Sequence, residues 1–66
     1  MKSISEIILR RLDEKDISQS ELARRLGVNR AAVNFWCSGR FNPRISKLER
    51  IADVLDIEVK DFFIEN

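Results

Sequence analysis

The chain has to turn a tight corner at Gly27. Before it, Ser18-Gln19-Ser20-Glu21 has the form of a capping box, in which the hydroxyl accepts the N3 amide and the glutamate reaches back. Leu22, Ala23 and Leu26 then fall on one helical face. Gly27 stands where a left-handed residue closes a helix, a conformation that glycine adopts cheaply. Beyond it Val28 points inward, and Asn29 is a second N-cap candidate. Helical spacing resumes from about Arg30 to Cys37, with Val33 and Trp36 facing the core. Helices below about 12 residues are marginal alone. These two must therefore pack against each other and against the rest of the chain.

The remaining sequence supplies the other helices. Ile4, Ile8 and Leu12 form one stripe, with Ser3 or Ser5 as its cap and Asp16 as its end. Ser38-Gly39 stops the third helix. Arg40 to Arg44 form a loop punctuated by Asn42-Pro43. Ile45, Leu48, Ile51, Ala52 and Leu55 give a fourth stripe, broken at Asp56 to Glu58, and Val59, Phe62 and Phe63 predict a short fifth helix. No strand alternation, repeat or linker interrupts the pattern. The expected architecture is all-α, one compact five-helix domain over residues 1–66. Its core should contain Ile8, Leu12, Leu22, Ala23, Leu26, Val33, Trp36, Leu48, Ile51 and Leu55. A chain this small buries only about 60% of its unfolded surface, which leaves hardly any room for an enclosed substrate pocket.

Several functions are excluded by composition. With no histidine, no Ser-His or Cys-His pair can form. Cys37 is the only cysteine, so neither a disulfide framework nor the usual zinc site is available. No Gly-rich phosphate loop occurs. Asp13, Glu14 and Asp16 read as a solvated helix end rather than a carboxylate site. No enzyme activity, cofactor, metal or small-molecule ligand is expected. No apolar stretch is long enough to span a membrane, and none follows Met1-Lys2-Ser3, so a cytoplasmic protein with no membrane partner is the expectation.

Charge is more informative. The net charge of +1 divides into +5 over residues 1–50 and −4 over residues 51–66. No acidic residue lies between Glu21 and Glu49, and that interval carries Arg24, Arg25, Arg30, Arg40, Arg44 and Lys47. A paired-helix element in a field of one sign suits a surface that meets a polyanion.

The same residues carry a family resemblance. Gln19, Leu22-Ala23, Leu26-Gly27-Val28, Val33, Trp36, Gly39, Pro43, Leu48, Ile51-Ala52, Leu55 and Phe62, in this order and spacing, resemble the lambda-repressor and Cro-like (XRE-type) helix-turn-helix family over roughly residues 4–63. The sequence departs from that pattern at Asp16 and Asp56, where glycine is common, and at Arg44 and Glu58, where small N-caps are common. Cys37 and Ser38 replace the usual Glu and Asn before Gly39.

The resemblance implies a sequence-specific regulator of transcription that binds double-stranded DNA, in many relatives a repressor that sits as a two-fold dimer on a palindromic operator. The third helix would enter the major groove. Arg30, Ala31, Asn34 and Phe35 are then the candidate base contacts: Arg30 matches guanine O6 and N7, Asn34 adenine N6 and N7, and the two apolar residues thymine methyls. Gln19, Asn29, Ser38, Arg40, Asn42, Arg44 and Lys47 are the candidate phosphate contacts. Ile57, Phe62, Phe63 and Ile64 offer apolar surface for a weak homodimer interface. Two other readings share the fold: an antitoxin or restriction-modification controller, which also binds DNA, and a protein-interaction module without DNA affinity.

Overall fold

A computed structural model describes residues 3–63. Four α-helices follow in order: α1 (Ile4–Lys15), α2 (Gln19–Leu26), α3 (Arg30–Ser38) and α4 (Ile45–Leu55). The expected fifth helix is instead one 3₁₀ turn, Val59–Phe62. Backbone i→i+3 bonds from Asp61 N to Glu58 O (2.9 Å) and Phe63 N to Lys60 O (3.0 Å) hold it, with the Glu58 amide donating to the Asp61 carboxylate (2.9 Å). Four residues are too few for a ladder of α-helical bonds.

The helix starts differ in how they are capped. Ser3 heads α1 with a complete capping box: its hydroxyl accepts the Glu6 amide (3.3 Å), and the Glu6 carboxylate accepts the Ser3 amide (3.5 Å). Ser18 heads α2 with half of one. Its hydroxyl accepts the Glu21 amide at 3.0 Å, but Glu21 does not reach back as the sequence pattern predicts, because its carboxylate is occupied by Arg24 and Arg25. Asn29 and Arg44 occupy the N-cap positions of α3 and α4 without a side-chain cap.

All four helices end in one way. Asp16, Gly27, Gly39 and Asp56 each take left-handed backbone, with φ of 56°, 71°, 80° and 60°. The amide of the next residue then folds back onto the carbonyl five positions earlier: Ile17 to Leu12 (2.9 Å), Val28 to Ala23, Arg40 to Phe35 and Ile57 to Ala52 (each 3.0 Å). These are Schellman closures. Two of them use aspartate, which tolerates left-handed backbone better than most non-glycine residues. In three of the four, the residue after the turn is an aliphatic (Ile17, Val28, Ile57) that packs on the core.

The core is one cluster. All ten residues expected there are buried, joined by Cys37, Ala52 and Phe62. Trp36 is 8% exposed, from which we assign it to the core. The α2–α3 pair forms the most intimate contact, α1 backs α3, and α4 closes the other side of α2. Ile45 does not join the fourth stripe. It stands at the first position of α4, ahead of the packed turns, and is 59% exposed.

One tie was not anticipated. Arg11, on α1, donates from Nε (3.1 Å) and Nη2 (2.8 Å) to the carbonyl of Leu55, and from Nη1 to Glu14 (3.0 Å). It satisfies a terminal carbonyl of α4 and places a cation at the negative end of the helix dipole.

Two stability measurements test this account. Nothing lies within 4 Å of a Cβ added at Gly27, so the cost of Gly27→Val comes from backbone alone. It should destabilise the fold by about 1–2 kcal/mol in urea denaturation. Arg11→Met should cost about 1–2 kcal/mol through its lost bonds to Leu55. Arg10→Met, which removes only an exposed pair to Glu14 at 3.8 Å, should cost less than about 0.5 kcal/mol. Equal losses at Arg10 and Arg11 would show that the α4 carbonyl is satisfied by other means.

Candidate nucleic-acid interface

The buried residues of α3 are Val33, Trp36 and Cys37. At about 3.6 residues per turn, the opposite side is the stripe Ala31, Asn34, Phe35 and Ser38. Ala31, Asn34 and Ser38 are exposed, as are Asn29 and Arg30 at the helix start, so this face projects its side chains away from the protein. Arg30 sits at the margin of the stripe rather than its centre, since it lies close in rotation to Val33 and Cys37.

Phe35 is half-buried. Its ring meets Phe41 edge-on, with centroids 5.4 Å apart and planes at 89°. The cover comes from the loop that follows α3 rather than from the core. Gly39 reverses the chain, and the Phe35 carbonyl accepts from Gly39 N, Arg40 N (3.0 Å), Phe41 N (3.4 Å) and Ser38 Oγ (3.1 Å). Ser38 therefore spends its hydroxyl proton inside the protein and would have to rotate to donate to a phosphate.

Asn42, Arg44 and Lys47 are brought together. With Trp36, Pro43 and Ser46 they line an open groove of 290 Å³ between the end of α3 and the start of α4. Gln19 lies half-buried at the first position of α2. The first turns of α3 and α4 contain no acidic residue and no side-chain cap. Both positive dipole ends are thus left unneutralised, that of α4 at the groove and that of α3 at the other end of the stripe.

The six cations of the acid-free interval do not act alike. Glu21 engages two of them. Arg24 Nε donates at 3.0 Å and Arg25 Nε at 2.8 Å, with Arg24 Nη2 on the second oxygen. Hydrogen bonds from Arg24 first, then Arg25, hold the Glu21 carboxyl at about 2, well below its usual 4.5. Arg30, Arg40, Arg44 and Lys47 have no acidic partner among the described residues. The four cations without an acidic partner thus lie on the α3–α4 side, while Glu21 offsets one of the two charges on α2. Cys37 is buried, and burial pushes its thiol upward, away from the reactive thiolate.

The expected dimer residues separate. Phe62 is 2% exposed in the protein's own core, so it offers no surface to a partner. The 3₁₀ turn, by holding Phe62 against α4, accounts for that burial. Ile57 is half-buried against the core, Phe63 is 57% exposed, and Ile64 lies outside the described residues. The sequence reading missed two exposed apolar residues at the rim of the candidate face, Phe41 and Ile45. Phe41 lies within the Arg40–Arg44 loop and Ile45 directly after it, and that position is the signal that marks them.

The comparisons agree with this geometry. A helix-turn-helix family model matches residues 7–62. Two proteins of Archaeoglobus fulgidus, each described as an uncharacterized HTH-type transcriptional regulator, are similar to this chain. One is 37% identical over 74% of this chain and 69% of its own length, and the other 35% identical over 73% and 69%. The N-terminal DNA binding domain of SinR from Bacillus subtilis superposes with a TM-score of 0.86 at 33% identity, covering 96% of this chain and 93% of that one.

The Glu21 cluster carries a pH prediction. Because its folded carboxyl is depressed to about 2, the stability it confers is fully present above about 4.5 and is lost as pH falls toward 2. Wild type should melt above Glu21→Gln at neutral pH, and the difference should close between about pH 4.5 and 2. A melting difference that is constant down to pH 2 would mean that the pairs with Arg24 and Arg25 do not persist in solution.

Proposed function

The chain belongs to the XRE-type helix-turn-helix family, and we propose that it is a sequence-specific regulator of transcription that binds double-stranded DNA, acting as a repressor at a palindromic operator. The observation that carries this reading is the outward stripe of α3, flanked by four cations that no carboxylate compensates. The likeness to the DNA binding domain of SinR supports it. With α3 in the major groove, Arg30 and Asn34 read base edges, and Ala31 and Phe35 meet thymine methyls. Arg40, Asn42, Arg44 and Lys47 hold the backbone beyond the end of α3, while Gln19 and Asn29 hold it near the starts of α2 and α3. The protein blocks polymerase by occupying the site. Two copies bind across a two-fold axis, and Ile57, Phe63 and Ile64 remain the candidate contacts between them.

Selection of bound sequences from a random duplex pool tests the assignment. Arg30→Ala should weaken binding to the preferred site by about 1–3 kcal/mol and relax preference at one base pair. Lys47→Ala should weaken all sites alike and reduce the log–log salt slope by roughly one. An unchanged consensus for the Arg30→Ala, Asn34→Ala double variant would remove these two residues from base readout. No binding of mixed DNA at low salt would favour the protein-interaction reading. A single bound monomer on a palindrome, seen by sedimentation at saturation, would remove the dimer.

A further inference from the structure

The end of α3 differs from the other three helix ends, and the difference lies on the candidate face. At α1, α2 and α4 the residue after the left-handed turn is Ile17, Val28 or Ile57, each packed on the core. At α3 the equivalent residue is Arg40. Its amide makes the same backward bond, to the Phe35 carbonyl, but its side chain goes elsewhere. The guanidinium carbon lies 5.6 Å from the centroid of Phe35 and 6.0 Å from that of Phe41. A cation thus occupies the place of an aliphatic contact, and two rings set edge to face replace the core as its support.

This arrangement adds little to the core. Phe41 is 57% exposed, and Arg40 is exposed as well. It does constrain the guanidinium. The guanidinium lies within the reach of a cation–π attraction to both rings, and that attraction leaves its five N–H donors unspent. Arg40 has no acidic partner among the described residues that would compete for those donors. A long cationic side chain normally loses rotamer freedom when it docks on an anion, and one already supported by rings loses less.

We propose that Phe41 is a positioning residue for Arg40: with Phe35 it holds the guanidinium at the end of α3, in place for the DNA backbone before binding. The inference rests on the DNA-binding reading above. It assigns Phe41 a function although no base contact is asked of it, and it accounts for an exposed aromatic residue in a loop.

Binding of the full chain to two unrelated duplexes, one selected and one of mixed sequence, tests the proposal when followed across a range of salt. Phe41→Ala should weaken both about two- to five-fold, with the wild-type salt slope retained because no charge is lost. Arg40→Ala should weaken both and lower the slope by about 0.9. In the Arg40→Ala background, Phe41→Ala should have no further effect, and Phe41→Trp in the wild-type background should bind as wild type. The proposal is overturned if Phe41→Ala costs the same with and without Arg40, which would mean a structural or independent contact. It is also overturned if the loss falls on the selected duplex alone, which would make the ring a base reader. If wild type binds neither duplex at low salt, the DNA reading itself fails and the proposal with it, an outcome distinct from the other two.

Discussion

Left-handed backbone at four positions is the constraint on which the rest of the structure depends. Helices of eight to twelve residues cannot stand alone, so each must stop where the next one can pack. Asp16, Gly27, Gly39 and Asp56 set those stops. Each closure satisfies terminal carbonyls by backward bonds from the next amides, and three deliver an aliphatic residue onto the core in the same movement. Termination, turn direction and core packing are thus one event, repeated along the chain. Gly27 fixes how α3 is presented because it separates α3 from α2 by a single tight turn. The positive φ at Gly39 has a different outcome, since it folds the following loop over α3 instead of into the core.

The carbonyls at the end of α4 are treated more elaborately. The Asp56 turn closes the helix, and Arg11 reaches from α1 to donate twice to Leu55. This contact joins residues 44 apart, so the first and last α-helices stabilise each other, and α1 backs α3. The face that α3 presents therefore depends on residues far from it in sequence.

Much of this was legible from local pattern. The four α-helices, the turn at Gly27 and ten buried residues follow from helical spacing and from the chemistry of glycine, serine and aspartate at helix ends. What escaped depended on tertiary choice. Glu21 satisfies the sequence form of a capping box, yet two arginines one turn away compete for its carboxylate, and ion pairs win over a reach back to an N-cap amide. Phe62 looked available to a partner because a stripe reading cannot decide how deep a short terminal segment sinks. Arg11 carries no sequence signal at all, since its partner is a backbone carbonyl. The candidate face was legible as a charge pattern, but the division of its six cations into two paired and four unpaired was not.

That division also bears on the low net charge. At +1 the molecule as a whole exerts little long-range pull on a polyanion, and beyond about 8 Å physiological salt screens what there is. Attraction to a phosphate backbone must then come from arrangement at short range. Glu21 offsets one of the two arginine charges of α2, so most of the uncompensated charge lies near α3 and α4. The helix starts follow the same division. α1 and α2 begin with a serine cap and a glutamate in the first turn, the choice that stabilises a helix, while α3 and α4 begin with neither. Each omission forgoes roughly 1 kcal/mol of stability. One falls at the start of the α3 stripe and the other at the groove ahead of α4. A chain of this size has little stability to lose, so local rules broken together at one surface point to a surface shaped by binding rather than by folding.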